Sequence, residues 1–256
     1  MDRQIKRPWL TAILLALIPV LMATLAGVVI VIVNIGEPMS FVIQAAAFAI
    51  SLIIGLVVAR SDAFEFDRVG LRRVKPGSYR GVYYLIPALL IECAALVTGL
   101  AENLNAASLA ILAVFTLLVG FSEELFYRGL VMRCFYQFGV RRAVLYSSLL
   151  FAIGHAVNAL AGASVFYVTL QVLFAFLFGL VAAMITVGTG SILPAVCWHF
   201  TYDFVAYISN DGVGVQGNYA LVVLGVQVVI LVVYAVMMRG VLDGGNGNRT
   251  GGVGVL

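Results

Sequence analysis

Eight apolar segments, at about 9–33, 39–59, 82–100, 107–132, 143–160, 164–187, 191–209 and 219–238, occupy most of the chain. Lipid offers no hydrogen-bond partner to a backbone N–H or C=O, so each segment is expected to be a helix. Segments of about 20 apolar residues reach across a hydrocarbon core. Nothing between them is long or mixed enough to build a soluble core, so the chain reads as one membrane domain over residues 1–240, followed by a flexible Gly-rich tail at 241–256. The chain is 63% hydrophobic and 11% charged, where soluble domains carry about a quarter charged residues. The expected fold class is therefore all-α, a polytopic membrane helix bundle. The first run follows the basic MDRQIKRPW but is about 25 residues long, more than a signal-peptide core, and reads as a retained helix.

Loop charge supports this division. The connections NIGEPM, AENLNA, AGA and NDGVGVQGN hold no Lys or Arg, whereas the N-terminus, the 60–81 loop, the 133–142 loop and the C-terminal tail hold nearly all of them. The positive-inside rule then requires an even number of spans and puts both termini in the cytoplasm, which makes the chain a multi-pass protein of the cell membrane. The net charge of +3 follows from this clustering, so no nucleic-acid partner is inferred. Membrane lipid is the partner that composition implies.

The 60–81 connection, RSDAFEFDRVGLRRVKPGSYRG, is the one long polar stretch. Its Phe64, Phe66, Val69 and Leu71 suggest either an amphipathic helix on anionic headgroups or a solvated loop anchored by arginines. Cys93, Cys134 and Cys197 lie in or beside apolar runs without CxxC spacing and read as packing residues.

Within the fourth segment stands FSEELFYRGLVMRCF, Phe121 to Phe135. Each charge at a membrane centre costs roughly 2.5 to 3.5 kcal/mol, so Glu123, Glu124 and Arg128 must be paired, hydrated or useful. On an α-helix, Glu124 and Arg128 lie about 40° apart and can neutralise each other, while Glu123 points about 100° from Glu124 and about 140° from Arg128. Glu123 is thus the carboxylate left free for general-base work. The chain has two histidines, His155 in LLFAIGHAVNAL and His199 in SILPAVCWHFTYDF. Phe151 precedes His155 by one turn and Asp203 follows His199 by one turn, each on the same helix face. Segments 4, 5 and 7 therefore each carry an ionisable cluster.

HExxH, GxSxG and Ser-His-Asp signatures are absent. Three chemistries remain: a Glu/His-activated water attacking a carbonyl, a divalent metal such as zinc held by Glu123, His155, His199 and Asp203, and a proton relay in a transporter.

Glu123-Glu124-x-x-x-Arg128, Phe151-x-x-x-His155 and His199-x-x-x-Asp203, in that order on separate helices, resemble the CPBP family of intramembrane proteases, also called Abi or CAAX-protease-like proteins. The resemblance spans roughly residues 60–209 and includes GLRR at 70–73. It implies an endopeptidase that cleaves a membrane-associated peptide or lipidated protein, either without a cofactor or with a divalent metal. Glu123 would activate the water, His155 would orient it, and His199 with residue 203 would stabilise the oxyanion, with Glu124 and Arg128 in support. The eukaryotic pattern ends its third motif in Asn. An ionised Asp203 cannot donate to an oxyanion, so its expected role is to orient His199 through the ring N–H. The alternative implied by the same fold is a non-enzymatic membrane immunity or assembly factor.

Helix direction puts Glu123 about two-thirds of the way toward the cytoplasm and His199 near mid-membrane. His155 comes out nearer the outer side, which requires a different boundary or a kink near Gly154 in segment 5. Glu92 is an intramembrane acid that either lines a cavity or lies at the outer edge. Asn158, Gln171 and Thr186 read as interhelical hydrogen-bonders. Phe126, Tyr127 and Trp198 read as packing or interface residues, and Pro194 as a first-turn proline.

Overall fold

A computed structural model describes residues 4–74, 78, 85–92, 95–102, 104–161, 164–209 and 218–242. Most of these residues are helical, and the strand-like pairing among them is a single bridge between Leu100 and Ser209. The helices are α1 (Pro8–Val33), α2 (Met39–Ala59), α3 (Leu85–Glu92), α4 (Ala106–Glu124), α5 (Val140–His155), α6 (Val165–Thr189), α7 (Leu193–Ile208) and α8 (Asn218–Met238). Each expected apolar segment contains one of them.

Five helical stretches are long and apolar enough to cross a membrane, namely Pro8–Val33, Met39–Ala59, Ala106–Phe138, Val165–Thr189 and Leu224–Leu242. Their outer faces expose residues such as Val31, Ile32, Ile53, Val57, Val229 and Met237. In water such faces would be a liability; against lipid tails they are the ordinary surface of a membrane protein. The other three segments hold shorter helices. In the third, the described residues form α3 at Leu85–Glu92 and a 3-10 turn at Ala95–Thr98. The expected tail from 243 onward, the loop at 210–217 and the start of the third segment at 82–84 lie outside the described residues.

α4 opens on a capping box. Asn105 accepts from the N–H groups of Ala107 and Ser108, and the Ser108 hydroxyl accepts from the N–H of Asn105. The rod then changes pitch, with Leu125–Val131 winding as a π-helix before Met132–Phe135 resumes the α-form. In the π-turn the Tyr127 carbonyl accepts from the Met132 N–H, and the Ser147 hydroxyl of α5 donates to the same oxygen at 2.7 Å. The Tyr127 hydroxyl reaches the Ala16 carbonyl of α1 at 3.1 Å.

The 60–74 segment is neither an interfacial helix nor a solvated loop. Apart from a 3-10 turn at Phe66–Arg68 it has no helix, and it buries Phe64 and Val69 in the core. Val69 packs so closely on Gly129 that a Cβ there would sit 2.7 Å from Val69 Cγ1. The segment also clasps the turn between α6 and α7. Ile192 N–H donates to the Gly70 carbonyl at 2.9 Å, Arg72 Nε–H to the Gly190 carbonyl at 2.8 Å, and the Ser191 hydroxyl to the Arg72 carbonyl. These contacts satisfy backbone groups at the helix ends and hold the start of α7 against the rest of the bundle.

α5 begins at Val140 rather than 143, and its α-form ends at His155, where a 3-10 turn takes over from Ala156 to Ala161. The anticipated irregularity at Gly154 is this change of pitch.

Candidate active site

Glu123 and Glu124 are the last two residues of α4, and Arg128 lies inside the π-turn. The i,i+4 pair forms as expected, with Arg128 Nε 3.1 Å from Glu124 Oε2 and both side chains fully buried. Arg128 is also stacked on Phe151, its guanidinium carbon 4.3 Å from the ring centroid. Among the described residues, none of its three nitrogens has an aligned hydrogen-bond acceptor. The ion pair and the aromatic face are what compensate its burial.

Glu124 has a second partner that helical geometry alone could not reveal. His199 Nδ1–H donates to Glu124 Oε1 at 2.8 Å. The expected holder of that ring N–H was Asp203, but Asp203 Oδ2 lies instead 3.6 Å from the other nitrogen, Nε2. Glu123 Oε2 approaches the same Nε2 to 3.8 Å. Glu123 and Asp203 thus share one edge of the imidazole and Glu124 holds the opposite edge.

His155 enters from α5. Its Nδ1–H donates to the Phe151 carbonyl one turn back at 3.0 Å, leaving Nε2 as the acceptor of the neutral ring. The Phe151 ring lies edge-to-face with both imidazoles, at centroid distances of 4.6 Å to His155 and 6.0 Å to His199. Phe151 is therefore the aromatic wedge that spaces Arg128 and the two histidines.

The approach of α4 to α7 depends on a glycine. A Cβ on Gly120 would stand 3.0 Å from the backbone nitrogen of Phe200 and 3.3 Å from His199 Cβ. The missing side chain lets His199 come within reach of Glu123 and Glu124, a role that only the packed structure reveals.

A cavity of about 310 Å³ opens beside the cluster. His155, His199 and Asp203 line it, whereas Glu123, 16% exposed, adjoins it through His199. Its walls are largely aromatic and aliphatic, with polar positions at Gln44, Asn158, Gln171, Tyr202 and Gln227. Asn158 and Gln171 hydrogen-bond to each other at 2.9 Å, as anticipated for interhelical partners, while Thr186 donates to the Ala182 carbonyl of its own helix. Glu92 also lines this cavity.

Among the described residues no group of three or more His, Cys, Asp or Glu side chains is placed to hold a metal ion. Cys134 and Cys197 are free thiols.

Fold and cluster together define a helical membrane protein with a carboxylate–imidazole site buried beside an apolar cavity. Residues 105–205, which contain every member of the cluster, match the family model described as type II CAAX prenyl endopeptidase, Rce1-like. The matched segment is under half of the chain and carries the motifs by which the sequence resembles the CAAX-protease-like family, so at the level of that family it supports a CAAX-type membrane protease. No curated protein matches the chain.

Proposed function

We propose that this chain is an intramembrane endopeptidase that hydrolyses a peptide bond through a water activated by Glu123. The observation that carries the reading is that Glu123 and Asp203 face one nitrogen of His199 while Glu124 holds the other, at the edge of a cavity also lined by His155. The Glu123 carboxylate takes one proton from water as the oxygen attacks the substrate carbonyl carbon. His155 Nε2 accepts the remaining water proton as a hydrogen bond and so orients the lone pair that attacks.

The tetrahedral intermediate carries its charge on the former carbonyl oxygen. When His199 is protonated on both nitrogens, Glu124 holds Nδ1–H and Nε2–H is available to that oxyanion. Glu124 is then the positioning residue for His199, and Asp203 shares the Nε2 edge. Collapse breaks the C–N bond, and Glu123 returns its proton to the leaving amine, so the products are a carboxylic acid and an amine and the enzyme is regenerated. No step is routed through a metal. Eight crossings with both termini cytoplasmic, in the cell membrane, complete the proposal; α3, α5 and α7 are the short members, packed among the five long helices.

The test is cleavage of a membrane-anchored reporter peptide by the purified protein in lipid discs. Glu123→Ala and His155→Ala should each abolish product formation while the protein remains folded. Full activity in both variants would remove the site assignment.

A further inference from the structure

The acid that this mechanism leaves unused is Glu92. It is the last residue of α3, its side chain is 4% exposed, and it forms part of the wall of the 310 Å³ cavity. Among the described residues its hydrogen-bond donor is the Thr201 hydroxyl, 3.2 Å from Oε1. That hydroxyl has a single proton and also lies 2.9 Å from the Trp198 carbonyl and 3.0 Å from the Cys197 carbonyl of its own helix. Among the described residues Glu92 therefore has a shared donor and no Lys or Arg ion-pair partner.

The other acids of the site are differently placed. Glu124 has Arg128 and His199, and Glu123 and Asp203 both face His199. Among the described residues no Lys or Arg lines the cavity. An acid buried in a membrane domain without a Lys or Arg partner is expensive unless a cation reaches it or it serves a function. Ser209, Gln227 and Tyr202 line the same cavity as Glu92, the last two 3.4 Å apart through their polar atoms.

We propose that the Glu92 end of the cavity is a substrate subsite for a basic side chain, a lysine or arginine near the scissile bond. This rests on the endopeptidase reading and narrows its substrate class. A peptide in the cavity also meets Asn158, Gln171 and Gln227, whose amides offer donors and acceptors to an extended backbone that hydrocarbon would leave unsatisfied. This polar lining favours a peptide over a lipid ammonium as the source of the cation. A substrate that brought a free carboxylate to this end would meet a like charge.

The probe is a set of synthetic apolar peptides, identical except for lysine, norleucine or glutamate walked through the central positions. Binding and cleavage are measured separately on the full-length protein in phosphatidylcholine discs. At one position the lysine peptide should bind about tenfold or more tighter than the norleucine peptide, the size of a charge-assisted contact, with the glutamate peptide weakest. Glu92→Gln should bring the lysine-to-norleucine ratio toward one, and Glu92→Lys should turn the preference toward glutamate. Each ratio compares two peptides on one protein, so partial unfolding of a variant cancels, and the wild-type series stands alone if a variant does not fold.

Equal binding of all three peptides to the wild type, or an unchanged ratio in Glu92→Gln, overturns the subsite. Cleavage without charge preference leaves the endopeptidase reading intact and removes this one. Charge-dependent binding without cleavage does the reverse, and neither binding nor cleavage removes both. Loss of the preference when phosphatidylethanolamine is added to the disc assigns the subsite to a lipid ammonium and overturns its assignment to the substrate.

Discussion

Gly120 and Phe200 hold α4 and α7 at backbone contact, since a Cβ on the glycine would lie 3.0 Å from the Phe200 nitrogen. A backbone atom cannot rotate aside, so Gly120→Ala must separate the helices by a few tenths of an ångström. His199 moves with α7, away from Glu123 and Glu124. Small misplacements of catalytic groups cost up to about 100-fold in rate. Gly120→Ala should therefore lower kcat for reporter-peptide cleavage by at least about tenfold while the protein still folds. Wild-type kcat in this variant would show that the close approach is not needed.

Glu123 and Glu124 should separate cleanly by phenotype. Glu123→Gln keeps the shape of a side chain that reaches the cavity edge and should lose cleavage with little change in thermal stability. Glu124→Gln strands the buried Arg128 guanidinium, and breaking one partner of such a pair costs about 3–5 kcal/mol. Its melting temperature should fall sharply, and Glu124→Gln with Arg128→Met should recover much of that loss without recovering activity. Equal melting temperatures for Glu123→Gln and Glu124→Gln would contradict this division.

Phe151 supports Arg128 through its ring face and both imidazoles through its edges. Phe151→Leu retains an apolar residue of similar reach but removes the cation–π contact, worth about 2 kcal/mol where desolvated. The expected outcome is a lower unfolding temperature together with reduced turnover, and no change in either would exclude Phe151 as the spacer.

Asp203 and Glu123 share Nε2 of His199. Asp203→Asn replaces one oxygen with an N–H donor to a developing oxyanion, so cleavage should persist within about tenfold of wild type, whereas Asp203→Ala should lose it. If the Asn variant is as inactive as the Ala variant, the position requires a carboxylate.

The proposed mechanism runs on carboxylates and imidazoles alone, and among the described residues no group of three or more His, Cys, Asp or Glu is placed to hold a metal ion. A chelator added to the purified protein should leave peptide cleavage unchanged. Loss of activity that zinc restores would place a metal in the reaction.

Much of this arrangement was legible before any coordinates, and the reason is the cost of charge in hydrocarbon. Glu124 and Arg128 stand out because few residues of that kind survive inside an apolar run, and their spacing pairs them without any knowledge of the fold. The same scarcity picked out His155 and His199. What could not be read depends on the third dimension. The Glu124–His199 hydrogen bond joins helices 75 residues apart, so Asp203, the local candidate, was the natural expectation for that N–H.

Two further departures have local causes. An α-helix would turn about 100° per residue through Arg128, whereas the chain winds as a π-helix from Leu125; the Ser147 hydroxyl that adds a second donor to the Tyr127 carbonyl comes from α5. The 60–74 segment looked amphipathic by its Phe and Val positions, and those residues are buried, but against Gly129 and the start of α7 rather than against headgroups. Composition reports that an apolar side chain must be covered and does not report by what.

The double attachment of Glu124 also bears on the order in which the protein is made. Arg128 leaves the ribosome four residues after Glu124, while His199 follows at 75. During that interval Arg128 shields the carboxylate, so α4 can enter the bilayer as a nearly neutral unit. His199 arrives later and docks onto a charge already balanced. A nascent chain halted before α7 therefore carries the acids in a tolerable form and lacks the imidazole proposed to hold the oxyanion, so the proposed hydrolytic centre comes into being only after most of its scaffold is in the membrane.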